Sequence, residues 1–127
     1  MSAQLRALLV PVHGNPRLVE VVSHWRDLLD DSDSPERVRT MGDAIGADWI
    51  EFVRTPLPDV AMIVDEEGWL REREVNATAT GRLYPGFVVG DVLVMSDEDT
   101  PEGRDVVSLT DEHLALVCER LHIEVPS

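Results

Sequence analysis

The apolar positions of this chain fall into short runs separated by turn chemistry, and their spacing sets the expected elements. Leu5-Arg6-Ala7-Leu8-Leu9-Val10-Pro11-Val12 is almost continuously apolar and predicts a buried strand, with Pro11 marking an edge or a bulge. His13-Gly14-Asn15-Pro16 is dense in turn residues. The stretch from Arg17 to Leu29 supports two readings. Leu18, Val21, Val22, Trp25, Leu28 and Leu29 fit helical spacing, with Asn15 as N-cap and Pro16 at the first helical position. The β-branched run up to Val22, directly after a turn, favours a hairpin strand followed by an irregular piece.

Ser34-Pro35-Glu36 predicts a helix start, with Val38, Met41, Ala44 and Ile45 on one face and Gly46 as its stop. Asp48–Arg54 alternates as a strand, which places Trp49 in the core. Val60–Val64 reads as a short apolar strand. Asp65-Glu66-Glu67-Gly68 follows as a tight turn in which Gly68 supplies positive φ, and Trp69-Leu70 returns as a partner strand. Asn76 is placed to cap a short helix carrying Ala77, Ala79, Thr80 and Leu83, ended by Tyr84-Pro85-Gly86. Phe87–Met95 is the strongest strand signal, interrupted at Gly90-Asp91. Ser96–Asp105 reads as an acidic loop and Val106-Val107-Ser108 as a last short strand. Thr110 caps a closing helix whose buried stripe is Leu114, Val117, Cys118 and Leu121. The expected architecture is α+β: a single small domain over residues 1–127, with a mostly antiparallel sheet and two to three helices.

Composition changes this picture in two ways. An apolar fraction of 43% in 127 residues is enough for a core without staples, and the lone Cys118 excludes an intrachain disulfide and reads as a small core residue. The charge is extreme. Eleven basic residues, all Arg, stand against 25 acids, for a net charge of −14. The excess is concentrated from Asp65 onward. Such a field repels nucleic acid and anionic lipid, so direct DNA or membrane binding is not expected. The apolar start is too short to span a bilayer, and a cytoplasmic location is expected.

Candidate chemistry is sparse. Asp65, Glu66, Glu67 and Gly68, with Asn76 and with Gly90-Asp91, form the densest group of functional side-chain types. Three adjacent carboxylates offer oxygen ligands for a divalent ion or a shared proton for acid–base work. A solvated hairpin turn accounts for the same residues, with Asn76 as a cap and Gly90-Asp91 as a bulge. Asp31-x-Asp33 and Asp97-x-Asp99 open like calcium loops. Both carry Pro at the fifth position (Pro35, Pro101) and Glu at the sixth (Glu36, Glu102), where the loop needs glycine. His13, His24, His113 and His122 include no pair at metal spacing, and Gly81-x-x-x-x-Gly86 lacks the lysine of a phosphate loop. No catalytic residue, metal site or cofactor is therefore assigned. Trp25 and Trp69 sit in polar surroundings, either half-buried or as exposed anchors for a partner.

Met62-Ile63-Val64-Asp65-Glu66-Glu67-Gly68, then Asn76-Ala77-x-Ala79-Thr80-x-x-Leu83, then Val88-Val89-Gly90-Asp91-Val92 resemble, in order and spacing, an uncharacterised family known only as a domain of unknown function. Leu8-Leu9-Val10-Pro11-Val12-His13-Gly14 and Ser108-Leu109-Thr110-Asp111-Glu112 are similar to its ends. The family occurs in phages, plasmids and bacterial genomes; the resemblance implies a small accessory protein of a mobile element and carries no established activity.

The expectation is a non-enzymatic protein that binds and modulates a host protein, such as a DNA-binding or defence protein, through its acidic surface. A sharper version is a DNA mimic that blocks such a protein, with the acids from Asp97 to Glu119 spaced like phosphates. A small carboxylate-based or metal-dependent enzyme built on Asp65–Gly68 is the alternative from another class.

Overall fold

A computed structural model describes residues 4–22, 39–101 and 103–126. The readings made at Trp25, at Asp31 and Asp33, and at the Ser34-Pro35-Glu36 helix start lie outside them. The described elements are β1 (Gln4–Val10), β2 (Arg17–Val22), β3 (Arg39–Thr40), α1 (Met41–Ile45), β4 (Ile50–Arg54), β5 (Val60–Asp65), β6 (Val92–Thr100), β7 (Gly103–Val107) and α2 (Asp111–Leu121). The strands form one sheet in the order β3-β2-β1-β6-β5-β4, with β7 paired to β6. Among the described ladders only β2–β3 is parallel; the others are antiparallel. The α+β reading with a mostly antiparallel sheet holds.

The apolar run at the start becomes a central strand. β1 pairs with β2 on one side and with β6 on the other, so its side chains are buried on both faces. Pro11 is neither an edge marker nor a bulge, because it lies one residue past the end of β1, where its missing N–H breaks no ladder. β6 pairs with β1 only through Val92–Val94. Farther along it turns to β7, and Ser108–Leu109 takes its place beside β1: Leu109 N donates to Arg6 O at 2.8 Å and Arg6 N donates to Ser108 Oγ at 3.0 Å.

The period of two along each strand sorts the core into two layers. Leu8, Val10, Met62, Val92 and Val94 pack under α2 through Leu114, Val117, Cys118 and Leu121, joined by Ala79, Leu83 and Val88. Ala7, Leu9, Val21, Ile63, Leu93 and Met95 face the opposite way and meet Met41 and Ile45 of α1. Burial raises the pKa of the Cys118 thiol, in keeping with a packing role.

Five local expectations are corrected. The helical face read from Val38 to Ile45 is not continuous, because Arg39 and Thr40 are extended against β2: α1 begins at Met41, with the Thr40 hydroxyl accepting from Asp43 N at 3.1 Å, and Gly46 ends it as expected. Trp69-Leu70 is not a strand. β5 already has β4 and β6 on its two sides, so the segment after it passes through turns with both residues exposed. Asn76 caps a single turn rather than a helix, since the chain leaves the helical path at Gly81 (φ 77°). Ser96–Asp105 is not a loop but the β6–β7 hairpin. Its acids are tolerated because Arg104 donates to Asp97 (2.6 Å) and Asp59 (2.9 Å) and lies 3.1 Å from Asp99, and these carboxylates, Asp97 foremost, raise its pKa. Trp49 precedes β4 at the sheet margin and is 65% exposed, not core.

At α2, Thr110 caps as the sequence predicts. Its hydroxyl accepts from His113 N at 3.1 Å, with Asp111 and Glu112 in the first turn. Thr110→Ala is expected to lower stability by about 1 kcal/mol. The check is the urea midpoint at constant slope, and an unchanged midpoint would show that the cap contributes nothing.

Candidate interaction surface

The group singled out in the sequence comes together, but around a cation that the sequence reading passed over. The Asp65 side chain is only 2% exposed. Its Oδ1 accepts from Glu67 N at 2.9 Å, and its Oδ2 accepts from Arg73 Nε at 2.6 Å. Arg71 stands 3.7 Å away, and Arg73 also donates to Gly46 O at the end of α1. The segment after β5 is thereby tied to α1 through one guanidinium.

The two glycines shape the same knot. Gly68 does not adopt positive φ; it is needed for closeness, since a Cβ there would sit 2.8 Å from Val89 Cγ2. Gly90 needs both kinds of freedom. Its φ is 78°, and a Cβ would meet Arg73 Cδ at 2.9 Å. Its N–H donates to Glu74 O at 2.8 Å.

Asn76 is fully buried. Its amide nitrogen donates to Val10 O (2.9 Å) and Gly90 O (3.0 Å), and its amide oxygen accepts from Ala79 N at 3.1 Å. Asp91 Oδ1 accepts from Val12 N at 2.8 Å, closing the end of β1. Asp65, Asn76 and Asp91 thus direct their polar atoms into backbone and Arg73. The three adjacent carboxylates diverge, with Asp65 inward and Glu66 exposed. Among the described residues no group of three or more His, Cys, Asp or Glu is placed to hold a metal ion.

An open groove of about 200 Å³ lies beside this knot. Val53, Met62, Val64 and Val88 supply apolar lining, and Trp69, Tyr84 and Phe87 also border it. These three aromatics are 66%, 40% and 65% exposed, well beyond what packing alone requires. Glu51 and Glu66 border it too, and neither forms an ion pair with a described residue. Trp69 is the one groove aromatic that the sequence marked as a possible anchor. Glu51, Tyr84 and Phe87 were missed, although aromatics flanking Pro85-Gly86 were the available signal: a turn holds large side chains out of the core.

The acids proposed for DNA mimicry do not form one free row. Asp97 and Asp99 clasp Arg104 on the hairpin, and Asp111 on α2 pairs with Arg6 at 2.8 Å. Ser96 Oγ lies 2.6 Å from His113 Nδ1 while accepting from Thr110 N. Ser96 is buried, so this pair locks α2 to β6 rather than presenting a nucleophile.

The family model for a domain of unknown function, DUF3846, matches residues 5–122. The chain belongs to this family. No curated protein matches this DUF3846 chain. A crystal structure of the small RNA methyltransferase HEN1 shares its fold at TM-score 0.62 and 13% identity, across 93% of this chain. The DUF3846 chain spans 16% of that enzyme's length, and at this identity the likeness concerns the fold alone. Among the described residues, no DUF3846 helix is long and apolar enough to cross a membrane.

Proposed function

We propose that this DUF3846 protein is a non-enzymatic accessory protein of a mobile element that binds a basic segment of a host protein in the groove between Glu51, Glu66, Trp69 and Phe87. One observation carries the reading. Exposed aromatic faces share one open groove with Glu51 and Glu66, which form no ion pair with a described residue, on a chain of net charge −14. Arg and Lys side chains suit such a lining, because the ring faces attract the cation while the carboxylates neutralise it. The net negative field adds long-range attraction for a cationic partner. The mobile-element setting is what the resemblance of the central motifs implies.

DNA mimicry has less support, since Asp97, Asp99 and Asp111 are engaged by arginines of the same chain. An enzyme at Asp65–Gly68 has less again, since the polar atoms of Asp65 and Asn76 are committed to the fold.

The test is capture from host lysate on immobilised protein at low salt, elution on a salt gradient, and calorimetry with the purified partner. Trp69→Ala combined with Glu66→Gln is expected to weaken binding by about a hundredfold, and affinity should fall as salt rises. A partner that binds the double variant as tightly as the wild type, or no partner at any salt, would remove the groove from this role.

A further inference from the structure

Among the described residues β4 lies at an edge of the sheet, with β5 as its only ladder partner. Natural edges are blunted by proline, lysine, bulges or brevity, and the opposite edge, β3, is two residues long. Ile50-Glu51-Phe52-Val53-Arg54 has no proline, lysine or bulge, its two charges, Glu51 and Arg54, are of opposite sign, and Phe52 in its middle is 56% exposed.

The ladder determines which backbone groups are free. Glu66 N donates to Trp49 O at 3.0 Å and Thr55 N donates to Val60 O at 3.3 Å. In an antiparallel pair the bonded positions alternate. Trp49, Glu51, Val53 and Thr55 therefore turn their N–H and C=O groups toward β5, whereas Ile50, Phe52 and Arg54 turn theirs outward.

An extended backbone of matching phase can pair with that edge, and β4 of a second copy supplies one. In an antiparallel pairing about a two-fold axis at Phe52, the outward groups of Phe52 meet those of Phe52 in the other copy, and Ile50 meets Arg54. Each such pair exchanges both of its N–H···O bonds. Phe52 then stacks beside its symmetry mate, the aliphatic stem of Arg54 covers Ile50, and Glu51 lies opposite Val53, so no like charges oppose one another. The neighbouring registers are worse. Centring on Glu51 sets two carboxylates face to face, and centring on Val53 brings Ile50 against Pro56, which has no N–H to give.

We propose that two copies of this chain pair through β4 in the Phe52-centred register, joining their sheets into one. The proposal does not rest on the groove reading, although Glu51 and Val53 belong to both surfaces, and the two respond oppositely to salt. Association of two chains of charge −14 strengthens as salt screens their repulsion, whereas capture of a cationic segment weakens.

The test is sedimentation equilibrium of the wild type, Phe52→Pro and Phe52→Lys at low and high salt. Proline at position 52 removes an outward N–H and leaves the β4–β5 ladder intact, and lysine places a charge on the edge. The wild type is expected to dimerise more tightly at high salt. Both variants should keep the wild-type circular dichroism and dimerise about tenfold or more weakly. Amide exchange adds a readout that needs no variant: the Ile50, Phe52 and Arg54 amides of the wild type should gain protection as concentration rises. A wild type that stays monomeric to roughly 1 mM would overturn the proposal, as would variants that dimerise like the wild type or a dimer that leaves those three amides unprotected.

Discussion

Asn76→Leu is expected to cost the fold about 3–5 kcal/mol, although leucine has the same number and branching of side-chain heavy atoms. Asn76 sits at 0% exposure and joins three parts of the chain: the end of β1 at Val10, the approach to β6 at Gly90, and the turn that starts at Asn76 itself. Leucine leaves two carbonyl groups and the Ala79 N–H without these partners, and a buried unsatisfied group costs roughly 1–3 kcal/mol. A domain of this size has about 5–15 kcal/mol in total, so the variant should be marginally folded at 37 °C. Urea denaturation provides the measurement, with the midpoint falling and the slope unchanged. Asn76→Asp makes a sharper comparison. A carboxylate at this site faces two carbonyl oxygens, whereas its protonated form regains one donor. Its deficit should therefore shrink as the pH is lowered, and that of Asn76→Leu should not. A loss below about 1 kcal/mol for Asn76→Leu would mean that water or a backbone shift replaces the amide.

The central role of Asn76 was partly legible in the sequence. Asparagine before a short apolar turn reads as a cap, and it is one. The bonds to Val10 and Gly90 join residues 66 and 14 positions away, which no local pattern contains. The same boundary runs through the whole chain. β1, β2, β5 and α2 were readable because run length, turn residues and caps are local. Trp69-Leu70 was misread as a strand because only the sheet order shows that β5 has no free side. The acids from Asp97 to Asp105 looked like a loop because their neutralisation comes from Arg104 across the hairpin and includes Asp59, far earlier in the chain. Asp65 drew attention as an acid, while the residue that organises its surroundings is Arg73. An arginine in a run of charges carries no local sign that its guanidinium is directed inward.

The second large effect follows from that arginine. Arg73→Met is expected to destabilise the fold by about 3 kcal/mol, because it removes the main counter-charge from a carboxylate whose side chain is 2% exposed. Arg71, at 3.7 Å and more exposed, offsets only part of the loss. Asp65→Asn should cost less than Arg73→Met, since an amide oxygen can still accept from Glu67 N and no uncompensated buried charge remains. The double variant should then be no worse than Arg73→Met alone. That pattern, a coupling of about 1–3 kcal/mol in a double-mutant cycle from urea midpoints, separates a buried pair from two independent packing losses. Additive single effects would show that Arg73 acts through its stem rather than its charge. Gly90→Ala probes the same knot from the backbone. Its Cβ would press on Arg73 Cδ at 2.9 Å, in a conformation at φ 78° that alanine rarely adopts. Arg73→Ala, which removes that carbon, should therefore relieve part of the Gly90→Ala penalty, leaving mainly the backbone strain. The groove is the functional reason to care about this knot: Asp65 borders it, and Trp69 lies in the segment that Arg73 ties down. Loosening the tie should lower partner affinity even where the domain stays folded, because an aromatic anchor that must first be ordered binds less tightly than one already in place.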